Sequence, residues 1–343
     1  MSVSQAPVSF LGAPGSPYTR KMLAALRYRR IPYRLIIGSH RNPTDLPKPK
    51  PQLLPTFYFT KADGSIEAVV DSTPLLRRFE RDFAGRSIVP PDPAIAFLDY
   101  LLEDFADEWL TKPMFHYRWH FAADAAQAGE ILPRWSTRPV SEATLAPVKT
   151  FVKQRQISRL YVVGSNDTTA PVIEASYRRF LQAMKTHLET SGFLMGARPG
   201  ASDFATYGQL TQLARFDPTP MAIALAEAPR VYAWTEVVED LSGMEPTDSD
   251  WMTRENIPET LRQLFVEMGR TYMPVMLANA QAVVRGADEV ETEVDGLRWT
   301  QQPFPYQAKC LQWIREEHAR LDTDAKACVA RLLAGTGCEP LLA

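Results

Sequence analysis

Cysteine is nearly absent from this chain. Only Cys310, Cys328 and Cys338 occur, all close to the C-terminal end. So sparse and odd a set excludes a disulfide framework or a zinc site and points to a reducing, cytoplasmic setting. Charge of one sign is also lacking: 38 basic against 40 acidic residues leave a net −2, which offers no handle to nucleic acid or to an anionic membrane. No apolar run is long enough to span a bilayer, and the N-terminus lacks a basic start followed by an apolar core. What remains is an ordinary soluble composition, 45% hydrophobic, in 343 residues, more than one typical domain requires.

The chain is organised around Phe10 to Lys21, FLGAPGSPYTRK. Val8 to Leu11 suits a short strand, Gly12, Pro14 and Gly15 punctuate a turn, and Ser16-Pro17 has the form of an N-cap followed by proline at the first helical position. A hydroxyl is thereby placed beside unpaired backbone N–H groups. Such a place caps a helix and can also hold an anion. Tyr33 to Ile37 reads as a second strand, and the proline-rich loop from His40 to Pro51, with Pro43, Pro47 and Pro49, excludes a regular helix. Leu53 to Phe59 and Ile66 to Ser72, joined through Asp63-Gly64, predict a hairpin, and a helix begins near Thr73-Pro74. The order βαβ, ββ, α closes a four-stranded sheet.

Leu54-Pro55 after Ser16, followed by Asp71-Ser72 at a helix start, resembles the thioredoxin-like domain of the glutathione S-transferase superfamily. The spacing Gly12-x-x-x-Ser16-Pro17-Tyr18 is similar to the serine-type active sites of plant tau-type classes and of bacterial relatives. The resemblance implies a glutathione site in which Pro55 is cis, Leu54 offers its backbone to the cysteinyl unit, Asp71 and Ser72 hold the γ-glutamyl end, and Ser16 donates to the thiolate. Those classes carry a basic residue just before the residue–proline pair; here Gln52-Leu53 stands there, and Gln52 is taken as part of the same site. With no cysteine before Cys310, dithiol exchange and the cysteine-type transferase reaction are excluded. The implied activity is attack of the glutathione thiolate on a small hydrophobic electrophile, in a cytoplasmic homodimer with glutathione as co-substrate and no metal. The alternative is a non-catalytic binding or scaffold protein of the same fold.

The rest reads as helix. The resulting architecture is an α/β thioredoxin-like domain over 1–88, an all-α domain over 94–243 with an insertion near 120–170, and a helical and β-hairpin extension over 244–343. Within AIAFLDYLLEDFADEWLTK from Ala94, Leu98, Leu101, Leu102, Phe105 and Trp109 form an apolar face. Asp99, Glu103, Asp104, Asp107 and Glu108 crowd the other side, and the polar stripe of Asp104, Glu108 and Thr111 is read as a solvated face. Asp104, Glu108, Thr111 and Phe115 are candidates for a second-substrate wall between the domains. His116 and His120 lack a third convergent ligand, so a structural role is preferred over a metal. Asp203 sits where a helix-capping acid belongs, three residues after Gly200, and Pro229 to Trp234 resembles a further family helix. Beyond Gly243 the sequence predicts a helix over Asn256 to Gly286, a hairpin turning at Asp295-Gly296, and one amphipathic helix over Pro305 to Leu333.

Overall fold

The computed structural model describes residues 6–41, 45–137 and 139–342. Of the prolines expected to bar a helix after His40, Pro43 lies outside the described residues. Strand β1 (Val8–Gly12) runs parallel to β2 (Tyr33–Ile37) and antiparallel to β3 (Thr56–Thr60), which pairs in turn with β4 (Ile66–Val69), giving the order β2-β1-β3-β4. Helices α1 (Pro17–Tyr28) and α2 (Ser72–Asp82) bury Met22, Leu23, Leu26, Leu75, Leu76 and Phe79. Phe10 stacks on Phe57 at 4.5 Å, and Phe79 meets Phe57 edge-on at 5.3 Å. This is the thioredoxin-like arrangement expected, with both hairpin strands shorter than their apolar runs suggest.

Helix α3 (Pro93–Phe105) starts behind the proline-rich linker, with Asp92 as N-cap. It does not continue unbroken. A single π-helical turn, Ala106–Leu110, precedes α4 (Thr111–His120), so Asp107 and Glu108 sit on a widened turn, a feature that recurs at functional sites. The segment read as an insertion forms α5 (Ala122–Ile131), α6 (Glu142–Ile157) and the approach to α7 (Ala170–His187). Helix α8 (Ala201–Leu213) is buried throughout, and Asp203 caps it as expected, Oδ2 accepting from the Gly200 N–H at 2.9 Å. Asp99 of α3 also accepts from Ser202 N–H and Oγ of α8, at 3.1 and 2.6 Å. Helices α9 (Pro218–Glu227) and α10 (Pro229–Val238) complete this layer.

The remaining chain packs onto the helices rather than trailing away. Helix α11 (Glu259–Arg285) lies along α7, and β5 (Val290–Val294) and β6 (Leu297–Gln301) turn at Asp295 and Gly296, whose φ of 54° and 76° are those of a two-residue hairpin turn. The single helix expected over 305–333 is corrected to two, α12 (Pro305–Arg320) and α13 (Thr323–Leu333). Leu321 is extended and Asp322 caps the second helix through Ala325 N–H at 2.7 Å, so a local side chain wins over the continuing apolar period. The three cysteines are buried and unpaired. No described helix is long and apolar enough to cross a membrane.

Candidate functional site

Ser16 is the N-cap of α1. Its Oγ accepts from the Thr19 N–H at 3.2 Å and donates to the Leu54 carbonyl at 3.3 Å, so the hydroxyl and the residue before Pro55 meet directly. The Leu54–Pro55 peptide is cis, as the resemblance implied, and Lys50–Pro51 is a second cis bond. Ser16 is half-buried, Pro55 buried, and Gln52 and Leu53 exposed. His40 faces inward, with Nε2 at 2.9 Å from Thr56 Oγ1 and 3.1 Å from the Leu53 carbonyl, and thus supports this loop. The turn before Ser16 is held from the other side. The Arg118 guanidinium, paired with Asp217 at 2.9 Å, donates to the Gly15 carbonyl at 3.0 Å. A Cβ at Gly15 would stand 2.5 Å from Leu132 Cδ2 and 2.7 Å from Trp135 Cζ3, so a larger residue there would have to displace these two side chains.

Asp71 and Ser72 lie at the start of α2, Ser72 buried and Asp71 half-buried. Asp71 has φ +85°, a conformation rare outside glycine. Burial raises its pKa, opposed by a hydrogen bond from the Tyr306 hydroxyl and by the Lys21 charge. Lys21, just over a turn beyond Ser16 on α1, donates to Thr73 Oγ1 at 3.1 Å, tying the two halves of the site together.

The four residues proposed for the second-substrate wall are placed differently from a solvated stripe or an open cleft. Asp104 and Glu108 are 8% and 7% exposed, while Thr111 and Phe115 are half-buried. The reading of the Asp104, Glu108 and Thr111 stripe as a solvated face is corrected: the C-terminal extension covers Asp104 and Glu108. Tyr272 of α11 donates to Asp104, and Gln307 of α12 donates to the Glu108 carbonyl at 3.2 Å. Inside, Lys21 bonds Glu103 at 2.8 Å and Asp107 at 2.5 Å, with Arg77 on the far Glu103 oxygen at 3.1 Å. Desolvation first, then the neighbouring Asp104 and Asp107, push Glu108 up to about 8. Desolvation lowers Lys112 to about 8. His116 and His120 stack at 4.6 Å, and His116 Nδ1 pairs with Ser165 Oγ at 2.8 Å. Among the described residues no group of three or more His, Cys, Asp or Glu side chains is arranged to hold a metal.

Sequence reasoning missed Lys21, Tyr272 and Tyr306. Lys21 carries no motif, and both tyrosines reach the site from more than 160 positions away along the chain.

Residues 10–87 match the model of the glutathione S-transferase N-terminal domain. No curated protein matches the chain by sequence. Among solved structures, a glutathione S-transferase of Methylobacterium radiotolerans in complex with glutathione sulfonate is 18% identical, covering 72% of this chain and 95% of that one at a TM-score of 0.41. A glutathione S-transferase from Rhodospirillum rubrum is 16% identical, covering 73% of this chain and 97% of that one at 0.43. A glutathione transferase family member from Pseudomonas fluorescens, with two glutathione bound, is 15% identical over 68% of this chain and 92% of that one, at 0.41.

Proposed function

We propose that the N-terminal domain binds glutathione and that Ser16 holds its thiol as the thiolate, ready to attack an electrophile. The observation that carries this reading is the meeting of Ser16 Oγ with the Leu54 carbonyl, 3.3 Å apart, at the N-terminus of α1. The Leu54 backbone and Pro55 take the cysteinyl unit, Ser72 at the start of α2 takes the γ-glutamyl carboxylate, Asp71 takes the α-ammonium, and Gln52 lies on the exposed edge toward the glycyl end.

Glutathione's thiol ionises near ~8.5 in water, and lowering this by two units takes about 2.7 kcal/mol. A hydrogen bond to a charged sulfur supplies about 1.5–3 kcal/mol, and the helix N-terminus about 0.3–1 kcal/mol. Ser16 would turn its proton from a long neutral bond on the Leu54 carbonyl to a charge-assisted one on sulfur, which favours the ligand. Its role is that of a donor; it is neither nucleophile nor base. A cytoplasmic homodimer is the setting this reading expects.

A second reading, a glutathione-binding protein without transferase activity, is supported by Tyr272 on Asp104 and Gln307 at Glu108, which fill the side where an electrophile would sit. Calorimetry with millimolar glutathione tests the shared part. Binding is expected, lost in Ser72→Ala, and its absence in the wild type overturns both readings. Ser16→Ala should keep affinity and lose the thiolate absorbance of the bound ligand at neutral pH; unchanged absorbance removes Ser16 from the chemistry. Conjugation of an electrophilic aryl halide by the wild type separates the two readings.

A further inference from the structure

The extension reaches the γ-glutamyl end of the proposed site through one side chain. The Tyr306 hydroxyl, in the first turn of α12, donates to Asp71 Oδ2 at 2.8 Å, across 235 positions of sequence. It is held from both sides. Asn279 of α11 brackets Phe304, two residues before it, accepting from Phe304 N–H at 2.7 Å and donating to its carbonyl at 2.9 Å. Gln307, the next residue, is buried and fastened to the π turn through the Glu108 carbonyl. The Trp313 ring meets Tyr306 edge-on at 6.2 Å. The hydroxyl is therefore a fixed part of this wall, half-buried like the carboxylate it touches.

Its chemistry follows from its surroundings. Around Asp71 stand Lys21 of α1, Glu103 of α3, Asp107 of the π turn, and Tyr306 and Cys310 of α12. Burial and the two acids disfavour the charged carboxylate, while Lys21 and the tyrosine bond favour it. Tyr306 is itself kept neutral, its ionisation pushed far up by burial and by Cys310, Asp71 and Glu108. A neutral phenol that donates its hydrogen bond to a carboxylate still has oxygen lone pairs to offer. We propose that Tyr306 is a positioning residue of the ligand site: it orients the Asp71 carboxylate for the α-ammonium of a γ-glutamyl ligand and supplies that ammonium with a second acceptor. The C-terminal extension thereby completes a site built on the N-terminal domain. This inference rests on the glutathione reading above.

The test is affinity in the full chain for two probes, glutathione and its des-amino analogue glutaryl-cysteinyl-glycine, in the wild type and in Tyr306→Phe. Glutathione is expected to bind about tenfold more weakly to Tyr306→Phe, the loss of one hydrogen bond to a charged group. The analogue, lacking the ammonium, should bind both proteins alike. Equal losses for the two probes would mean a purely structural tyrosine, and an equal or tighter affinity for glutathione would mean that Tyr306 blocks the site; either overturns the proposal. Wild type that ignores both probes removes the glutathione reading itself, and the role of Tyr306 with it. Thermal unfolding of Tyr306→Phe alongside shows whether the fold has been kept.

Discussion

The Lys21 ammonium on α1 stands 2.5 Å from the Asp107 carboxylate on the π turn, and both side chains are buried. It is the cation that joins the N-terminal helix to the acid-rich face of the helical layer, because Glu103 shares it at 2.8 Å. Lys21→Met would strand Glu103 with only Arg77, and Asp107 with no cation. Removing one partner from a buried pair costs about 3–5 kcal/mol, since the remaining charge stays desolvated. Urea unfolding should show a loss of this size, and a loss below about 1 kcal/mol would mean that water reaches the cluster.

The raised carboxyl groups make a pH prediction with a definite sign. Glu108 is pushed from 4.5 to about 8 and Asp104 to about 7, so the folded chain keeps protons that the unfolded chain has released. Their contribution to stability is complete below the unfolded values and is lost as pH rises toward 8. Lys112, lowered from 10.5 to about 8, is protonated in both states over most of that window and adds slope of the opposite sign only above it. Buried His116, lowered from 6.5 to about 3, and His187, also lowered, give the opposite slope up to about pH 6.5, so the thermal midpoint of the wild type should fall between pH 6.5 and 8, and fall less steeply in Glu108→Gln. Parallel slopes would show that Glu108 is ionised in the folded protein.

Gly269 of α11 touches the tail backbone. A Cβ there would come within 2.1 Å of the Thr336 carbonyl oxygen and 2.8 Å of the Gly337 carbonyl carbon. Gly269→Ala must push this segment outward or bend α11, an overpacking penalty of about 1–3 kcal/mol. Faster proteolysis near residues 334–340 and a lower unfolding midpoint are expected. A midpoint matching the wild type would show that the tail docks too loosely to resist one methyl group.

The legible features are those whose signals are local. Ser16-Pro17 specifies a cap and a first helical turn, Tyr33 to Ile37 a strand, Asp63-Gly64 and Asp295-Gly296 two hairpin turns, and Asp203 a helix-capping acid; each depends on atoms a few residues away. The π turn was not legible, since Ala106 to Leu110 keeps the apolar rhythm of the helices on either side. Nor was the end of α12. The periodicity runs on through Leu321, and only the Asp322 cap stops it.

The sequence by itself determined the strands of the N-terminal sheet and the place of Ser16 at a helix start, because short-range backbone geometry and turn chemistry specify them; the pairing of Ser16 with Leu54-Pro55 followed only from the family resemblance. The tertiary structure alone decided that Asp104 and Glu108 are interior, that Lys21 binds two acids, and that Tyr306 rests on Asp71. The first and last of these depend on the extension folding back over the helical layer, and the second on α1 docking against α3 and the π turn. The side chains that meet there are separated by up to 235 positions, a distance over which no local pattern carries information.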